Sequence, residues 1–220
     1  MDNQAPQVEQ RATVPAGAER RPYGDMLEVR KMDDGKNKLR GYALTWNKRY
    51  DMGFFTEEID RAALDGADMT DVRALLNHDP NFVLGRTTAG TLKLSTDEKG
   101  LMYEIDLPDT QTARDLAVSI QRGDISQSSW GFMLRYDENT AGDEWKRDNG
   151  RDHRIIRSVS RVFDVSPVTY PANPDTTVAK RSLETAQAEW QAAEDARKEK
   201  EEIINQRSAQ VRAILAQYPQ

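Results

Sequence analysis

The feature that most constrains this chain is a run of short strand-like segments separated by turn residues. Residues 27–46 have strand-forming sequence on both sides of a turn signal at 33–36, and residues 91–107 repeat the arrangement around 97–100. Two such segments joined by a short polar turn containing glycine are typical of a β-hairpin. The centre of the chain is therefore expected to be rich in short strands.

Two short helices are predicted between the strands. Asp60 precedes an apolar stretch that ends at Gly66, and Asp109 or Thr110 precedes apolar residues at helical spacing that end at Gly123. Asp and Thr side chains accept bonds from the free N–H groups at a helix start, and glycine commonly follows its last turn. Strands in quick succession with two internal helices predict an α+β, mainly β domain, built as a small antiparallel β-barrel or a sandwich flanked by helices.

The two ends of the chain differ from its centre. Residues 1–22 are rich in Gln, Ala, Glu, Pro and Arg without periodicity, which predicts a disordered arm, and they contain no apolar run typical of a signal peptide. From residue 182, apolar residues recur at a ragged seven-residue spacing that Arg197 interrupts. We expect an arm at 1–22, a folded domain at 23–180 and a long amphipathic helix at 181–220. That helix either packs on its own domain or projects as a solvated rod, or it docks on a partner or a second copy, and its pattern leaves these alternatives open.

The composition excludes several classes of function. The 220 residues include no cysteine, which removes disulfides, thiolate nucleophiles and Cys-based zinc sites and fits a reducing cytoplasm. A net charge of −6 without a basic stripe argues against a nucleic-acid partner, and no apolar segment is long enough to cross a membrane. No phosphate-binding glycine loop or dinucleotide motif occurs. We expect neither a cofactor nor a metal.

Only two histidines, His78 and His153, are available for chemistry that needs an imidazole base. His78 ends an apolar, strand-like segment, whereas His153 stands among charged residues and is expected at the surface. A lone histidine is more often structural than catalytic, so neither position identifies a site by itself.

Ser126, Ser128 and Ser129 cluster in front of a strictly alternating segment. In a strand, alternate side chains share a face, so Ser128 shares one with Trp130 and is expected to point into the core. Ser129 shares its face with Gly131, where no side chain would crowd a peptide, and we expect its hydroxyl to be exposed. A serine nucleophile must be reachable and close to a base, so Ser129 is the best candidate. The segment lacks the first glycine of a nucleophile elbow, which disfavours an α/β-hydrolase.

Asp164 is an acid placed between two apolar neighbours, Phe163 and Val165, in a predicted strand. It is either the partner of a nearby arginine or the group that holds a catalytic histidine in the correct tautomer.

Three segments together resemble the caudoviral prohead protease family, which is related to the herpesviral assembly proteases. They are residues 75–79 (LLNHD) followed by 83–86 (VLGR), residues 123–132 ending in SSWGF, and residues 163–168 (FDVSPV) followed by 171–174 (PANP). Residues 40–43 and 53–57 also fit the opening of the family's sequence. The resemblance covers about residues 26–175, with the motifs in the family's order.

The resemblance implies a herpesvirus-protease-like β-barrel. It also implies a serine endopeptidase whose catalytic residues are His78, Ser129 and Asp164. The family usually has Glu at the position of Asp164. Ser128 is the alternative nucleophile. His153 is the alternative third member, because the herpesviral relatives use a second histidine. The oxyanion donors stay unassigned, with backbone N–H groups as the default.

The resemblance also implies partners and a location. The expected substrates are the major capsid protein precursor and its scaffold segment, and the enzyme itself, inside the procapsid within the bacterial host cytoplasm. A second copy of the chain is a possible partner through the C-terminal helix. The alternative function is a catalytically inactive scaffold or capsid-binding module on the same fold.

Overall fold

A computed structural model describes residues 17–24, 27–33, 35–170 and 177–215 of the chain. The chain divides into a first unit, residues 1–176, and a second unit, residues 177–220. The described part of the first unit contains thirteen strands, one short 3₁₀ helix (Arg61–Leu64) and one α-helix. In chain order its elements are β1 (Glu19–Gly24), β2 (Glu28–Lys31), β3 (Asn37–Thr45), β4 (Tyr50–Asp51), β5 (Phe55–Ile59), β6 (Arg73–Leu76), β7 (Asp79–Arg86), β8 (Leu92–Thr96), β9 (Gly100–Asp106), α1 (Gln111–Arg122), β10 (Gln127–Leu134), β11 (Asp143–Asp148), β12 (Arg151–Ile156) and β13 (Val159–Val168).

The strands form three sheets. The five-stranded sheet has the order β1-β10-β13-β6-β7, and the two four-stranded sheets have the orders β2-β3-β9-β8 and β11-β12-β5-β4. The expectation of a closed antiparallel barrel is wrong, because among the described residues every sheet is open and keeps two edge strands. Two of the strand pairs, β5 with β12 and β6 with β13, are also parallel.

The parallel pairs explain why the sequence pattern did not indicate this topology. Turn signals identify strands that are joined by a tight turn, and such strands are antiparallel. Strands β5 and β12 are instead brought together from distant parts of the chain, where Phe55 pairs with Asp152. No local signal marks a pairing of this kind.

The elements that depend on local signals are confirmed. Both predicted hairpins form, as β2–β3 and β8–β9. Thr110 caps α1 by accepting a bond from the backbone N–H of Ala113, and the helix ends at Gly123, whose φ of 83° is the left-handed conformation that glycine adopts without strain. The 3₁₀ helix begins at Arg61, and Asp60 caps it in the same way by accepting a bond from the backbone N–H of Ala62.

The predicted disordered arm at residues 1–22 overlaps a strand. Residues 19–22 belong to β1, which pairs antiparallel with β10, whereas residues 1–16 lie outside the described part of the chain. The charged side chains of Glu19 and Arg21 suggested a solvated segment, but both are fully buried. Their charges are neutralised inside the protein by partners from other strands.

These partners form an ionic cluster of Glu19, Arg21, Glu57, Asp143 and Arg154. Arg21 donates from Nε to Glu57 (2.7 Å) and from Nη2 to Glu19. Arg154 donates to Glu19 (2.7 and 2.8 Å), to Glu57 (2.9 Å) and to Asp143 (2.6 Å). Burial alone would raise the pKa of Glu19, but the charges of Arg21 and Arg154 outweigh it and lower that pKa. The cluster therefore links β1 to β5, β11 and β12.

The second unit contains one long helix, α2 (Thr177–Leu215), which begins four residues before the predicted start at 181. Residues 216–220 of the predicted helix lie outside the described part. None of the helices described is both long and apolar enough to span a membrane.

Candidate active site

His78 lies in a two-residue turn between β6 and β7. Asn77 and His78 have φ values of 53° and 57°, and Leu76 pairs with Asp79 across the turn. Two successive left-handed residues are the mark of a type I′ hairpin turn, where asparagine is common. For a histidine this conformation is uncommon, and the surrounding structure must hold it.

Asn77 attaches this turn to the end of β13. Its backbone N–H donates to the carbonyl of Pro167 (3.0 Å), and its side-chain oxygen accepts from the backbone N–H of Thr169 (2.8 Å). Its Nδ2 donates to the Thr169 hydroxyl (3.2 Å). The hydrogen bonds of Asn77 thus hold His78 in place, although the left-handed conformation is unfavourable for a histidine.

The structure brings together the three residues His78, Ser129 and Asp164, here called the candidate triad. His78 Nε2 lies 2.7 Å from Ser129 Oγ, and His78 Nδ1 lies 2.5 Å from Asp164 Oδ1. A carboxylate can only accept, so Nδ1 carries the proton and Nε2 is left to accept from the Ser129 hydroxyl. This is the arrangement in which an imidazole acts as a base toward a serine.

Strand register explains why these residues meet. Across the β10–β13 pair, Ser129 lies opposite Ser166 and Gly131 lies opposite Asp164. A Cβ on Gly131 would lie 2.4 Å from Asp164 Oδ2, which is shorter than any real contact. The absence of a side chain at Gly131 therefore leaves room for the carboxylate beside the nucleophile strand.

The expectation that the Ser129 hydroxyl is exposed is wrong, because Ser129 has 0% exposure. Strand β10 is an interior strand with β1 and β13 on its two sides, and the His78 ring lies at hydrogen-bond distance over the hydroxyl. His78 itself is 8% exposed and Asp164 6%. Alternation predicted the correct face but could not show that the face is covered.

A cleft of about 390 Å³ nevertheless opens next to the candidate triad. Tyr170, on its rim, is 82% exposed. The cleft is lined by Asn77, His78, Val168, Thr169 and Tyr170. Of the candidate triad, His78 is the member that lines this cleft.

Comparison with known proteins gave a family match. A sequence model of the caudovirus prohead serine protease family matches residues 25–189, which is most of the chain. The chain belongs to the caudovirus prohead serine protease family. Membership supports a protease that takes part in phage capsid maturation.

Among solved structures, that of the bacteriophage T4 capsid assembly protease, gp21, is similar to this chain. It shares 11% sequence identity and has a TM-score of 0.44, with 69% of this chain and 96% of that chain covered. A comparison with curated proteins gave no significant match.

Ser128, the other serine of the prohead protease motif, is not brought to His78. Its hydroxyl lies 2.7 Å from that of Tyr103 on the opposite face of β10, next to the stacked rings of Trp130 and Phe132 (4.0 Å between centroids). Burial raises the pKa of Tyr103 well above its ordinary value, so this phenol stays protonated. The Ser128 hydroxyl is thereby committed to a bond in the core.

His153 lies in a different sheet, on β12, and is fully buried rather than on the surface. Its Nδ1 bonds to the Thr56 hydroxyl (2.7 Å), and its Nε2 lies 3.5 Å from Glu58. Burial, followed by the charge of Arg49, lowers the pKa of His153 and favours the neutral ring. The structure does not bring His153 into the candidate triad.

One buried group at this site was not predicted from the sequence. The Ser166 hydroxyl donates to Asp164 Oδ1 at 2.8 Å and lies 3.4 Å from His78 Nδ1. The signal was available, because Ser166 stands two residues after Asp164 in the same strand and so shares its face. Among the described residues, no group of three or more His, Cys, Asp or Glu side chains is placed to hold a metal ion.

Proposed function

We propose that this prohead protease is a serine endopeptidase in which Ser129 is the nucleophile, His78 the base and Asp164 the residue that orients His78. The observation that carries the proposal is the continuous line of hydrogen bonds from Ser129 through His78 to Asp164, with distances of 2.7 and 2.5 Å. A serine hydroxyl is a weak nucleophile until a base within such a distance takes its proton.

The reaction begins when the Ser129 oxygen attacks the peptide carbonyl and its proton passes to His78 Nε2. Asp164 stabilises the imidazolium that forms by accepting the bond from Nδ1. His78 then gives the proton to the leaving amine, which departs and leaves an acyl group on Ser129. Water, deprotonated by the same imidazole, releases the acid and regenerates the serine. Backbone N–H groups are the default donors to the oxyanion.

The expected substrates are the scaffold segment and the major capsid protein precursor, within the procapsid in the host cytoplasm. The chain is also expected to cleave itself, within residues 1–22 or after Ala179. Residues 19–22 belong to β1 and Ala179 lies in α2, so cleavage at these residues requires local opening of the strand or the helix. Helix α2 is a candidate surface for a second copy of the chain, since the partly exposed side chains of Ile203 and Ile204 lie along it.

The test compares the purified chain with Ser129→Ala and Ser128→Ala. Each protein is incubated alone and together with the capsid precursor, and the fragments are identified by mass spectrometry. The same proteins are treated with a fluorophosphonate. A nucleophilic serine attacks the phosphorus of this reagent, fluoride leaves, and the phosphonyl group stays on the serine.

We expect the wild-type chain and Ser128→Ala to cleave and to carry the phosphonyl group on Ser129, and we expect Ser129→Ala to do neither. Thermal unfolding checks that Ser128→Ala, which loses a bond to Tyr103, is still folded. Cleavage that survives Ser129→Ala would refute this assignment of the nucleophile. Unmodified precursor in every sample would favour an inactive scaffold or capsid-binding module instead.

A further inference from the structure

Ser166 occupies an unusual place for a polar side chain. It is fully buried, lies directly opposite Ser129 across the β10–β13 pair, and uses its hydroxyl within the candidate triad. Burying a hydroxyl without a partner is unfavourable, and most side-chain hydrogen bonds go to the backbone or to water. Ser166 instead donates to the Asp164 carboxylate.

The bond from Ser166 reaches the same carboxylate oxygen that accepts from His78. Asp164 Oδ1 receives Ser166 Oγ at 2.8 Å and His78 Nδ1 at 2.5 Å, whereas Oδ2 is on the Gly131 side. The carboxylate is thus held in a slot, with the missing side chain of Gly131 next to one oxygen and the hydroxyl of Ser166 at the other. Hydrogen bonds to an ionised acceptor are stronger than those between neutral groups, so this contact can restrain rotation of the carboxylate.

We propose that Ser166 is a positioning residue, which holds Asp164 so that Oδ1 faces His78 Nδ1. The proposal deepens the proposed function and rests on it, because an oriented imidazole matters only where His78 acts as the base toward Ser129. Without the hydroxyl, Asp164 loses one of its donors and can turn about its side-chain bonds. The imidazole then spends less time in the orientation that accepts the Ser129 proton.

The variants for the test are Ser166→Ala, which removes the hydroxyl, and Ser166→Thr, which keeps it. Ser160→Ala is the matched control: Ser160 is on the same strand and also spans the β10–β13 pair, but it donates to the backbone carbonyls of Met133 and Leu134. All are studied below their unfolding temperature as the full chain.

The first readout is the labelling of Ser129 by a fluorophosphonate over a range of probe concentrations. We expect Ser166→Ala to lower the maximal labelling rate about tenfold to a hundredfold, the value of one hydrogen bond to a charged group. The half-saturating concentration should change by no more than about twofold, because Ser166 has no contact with the probe. Ser160→Ala should label like the wild type, and Ser166→Thr should regain most of the rate.

The second readout does not require activity. We expect the proton between His78 Nδ1 and Asp164 Oδ1 to give a far-downfield proton NMR signal in the resting protein, because short hydrogen bonds to a carboxylate deshield the proton. We expect this signal to broaden or disappear in Ser166→Ala and to persist in Ser160→Ala.

A labelling rate in Ser166→Ala within about twofold of the control would overturn the proposal. So would a slow Ser166→Ala that keeps the downfield signal, because the loss would then have a different origin. If Ser166→Thr does not fold, the Ala variant and the NMR signal still decide the question. Failure of the proposed function would give a different result. Ser129 of the wild-type chain would not be labelled, but the downfield signal of the His78–Asp164 proton could still be compared between the wild type and Ser166→Ala.

Discussion

The ionic cluster and the candidate triad are both buried groups of polar side chains, but their members are paired in different ways. In the ionic cluster every charged group meets opposite charges, and Arg154 alone contacts three carboxylates. In the candidate triad His78 has one bond to each of its partners and borders an open cleft. The charged groups of the ionic cluster bond mainly to one another. The hydrogen bonds of the candidate triad instead end at the Ser129 hydroxyl, whose oxygen keeps lone pairs that can attack a carbonyl.

This difference indicates that the ionic cluster stabilises the protein, whereas the candidate triad takes part in its reaction. A charge taken out of water needs opposite charges or hydrogen-bond donors and acceptors around it, and removing one member of the ionic cluster leaves the others uncompensated. The members of the candidate triad carry little of the structure, since their bonds link three neighbouring elements of one sheet that is already paired. We therefore expect the ionic cluster to control stability and the candidate triad to control activity.

The largest effect is expected from Asp164→Asn, which keeps the shape of the side chain and removes its charge. Without the carboxylate, His78 is no longer held with its proton on Nδ1, and its Nε2 is not free to accept from Ser129. In serine proteases such a change costs about 10⁴-fold in rate, so we expect a loss of this order in fluorophosphonate labelling of Ser129.

The stability of Asp164→Asn should stay within about 1 kcal/mol of the wild type, a shift of about 3 °C in unfolding temperature. Both quantities come from one preparation, by timed mass spectrometry and by thermal unfolding. A variant that labels normally would contradict the role of Asp164. A variant that unfolds early would contradict the separation of the two constellations.

The converse change is Arg154→Met, which fills similar space without a charge. It removes the cation that bonds the buried carboxylates of Glu19, Glu57 and Asp143, and breaking a buried pair in this way costs about 3–5 kcal/mol of unfolding free energy. Labelling of Ser129 in the fraction that remains folded should be close to that of the wild type. Urea unfolding measures the first quantity, and labelling at low temperature measures the second.

Arg157→Met is the matched control for this variant. Arg157 bonds Glu144 and Asp60, but its side chain is 40% exposed, and pairs of this kind contribute about 0–1 kcal/mol. If Arg157→Met and Arg154→Met cost the same, burial would not be what distinguishes the ionic cluster. A large loss of labelling in folded Arg154→Met would show that the cluster and the candidate triad are coupled.

The comparison also shows which properties could be predicted from the sequence. The residues His78, Ser129 and Asp164 were predicted from motif resemblance, and the caps of α1 were predicted from Thr110 and Gly123, because these signals are local. The ionic cluster was not predicted, since Glu19 lies 135 positions from its partner Arg154 and looks like a residue of a solvated arm. The covering of Ser129 was missed for the same reason, as alternation gives a side chain's face but not what lies over it.

The smallest predicted effect concerns the turn that carries His78. With φ at 57°, this position suits glycine, whereas alanine there costs about 1 kcal/mol. His78→Gly and His78→Ala lose the same imidazole and the same two hydrogen bonds, so neither should label Ser129 at the wild-type rate. His78→Gly should nevertheless be the more stable of the two by about 1 kcal/mol in urea unfolding.

His153 is the control, because the difference in stability between its glycine and alanine variants is expected to have the opposite sign. It lies within strand β12, where glycine loses more conformational freedom on folding than alanine does, so His153→Gly should be less stable than His153→Ala by about 0.5–1 kcal/mol. Opposite signs at the two histidines would show that the protein maintains an unfavourable backbone conformation to place one imidazole over Ser129. Equal signs would mean that His78 is not left-handed in solution, and the distances that define the candidate triad could then not hold.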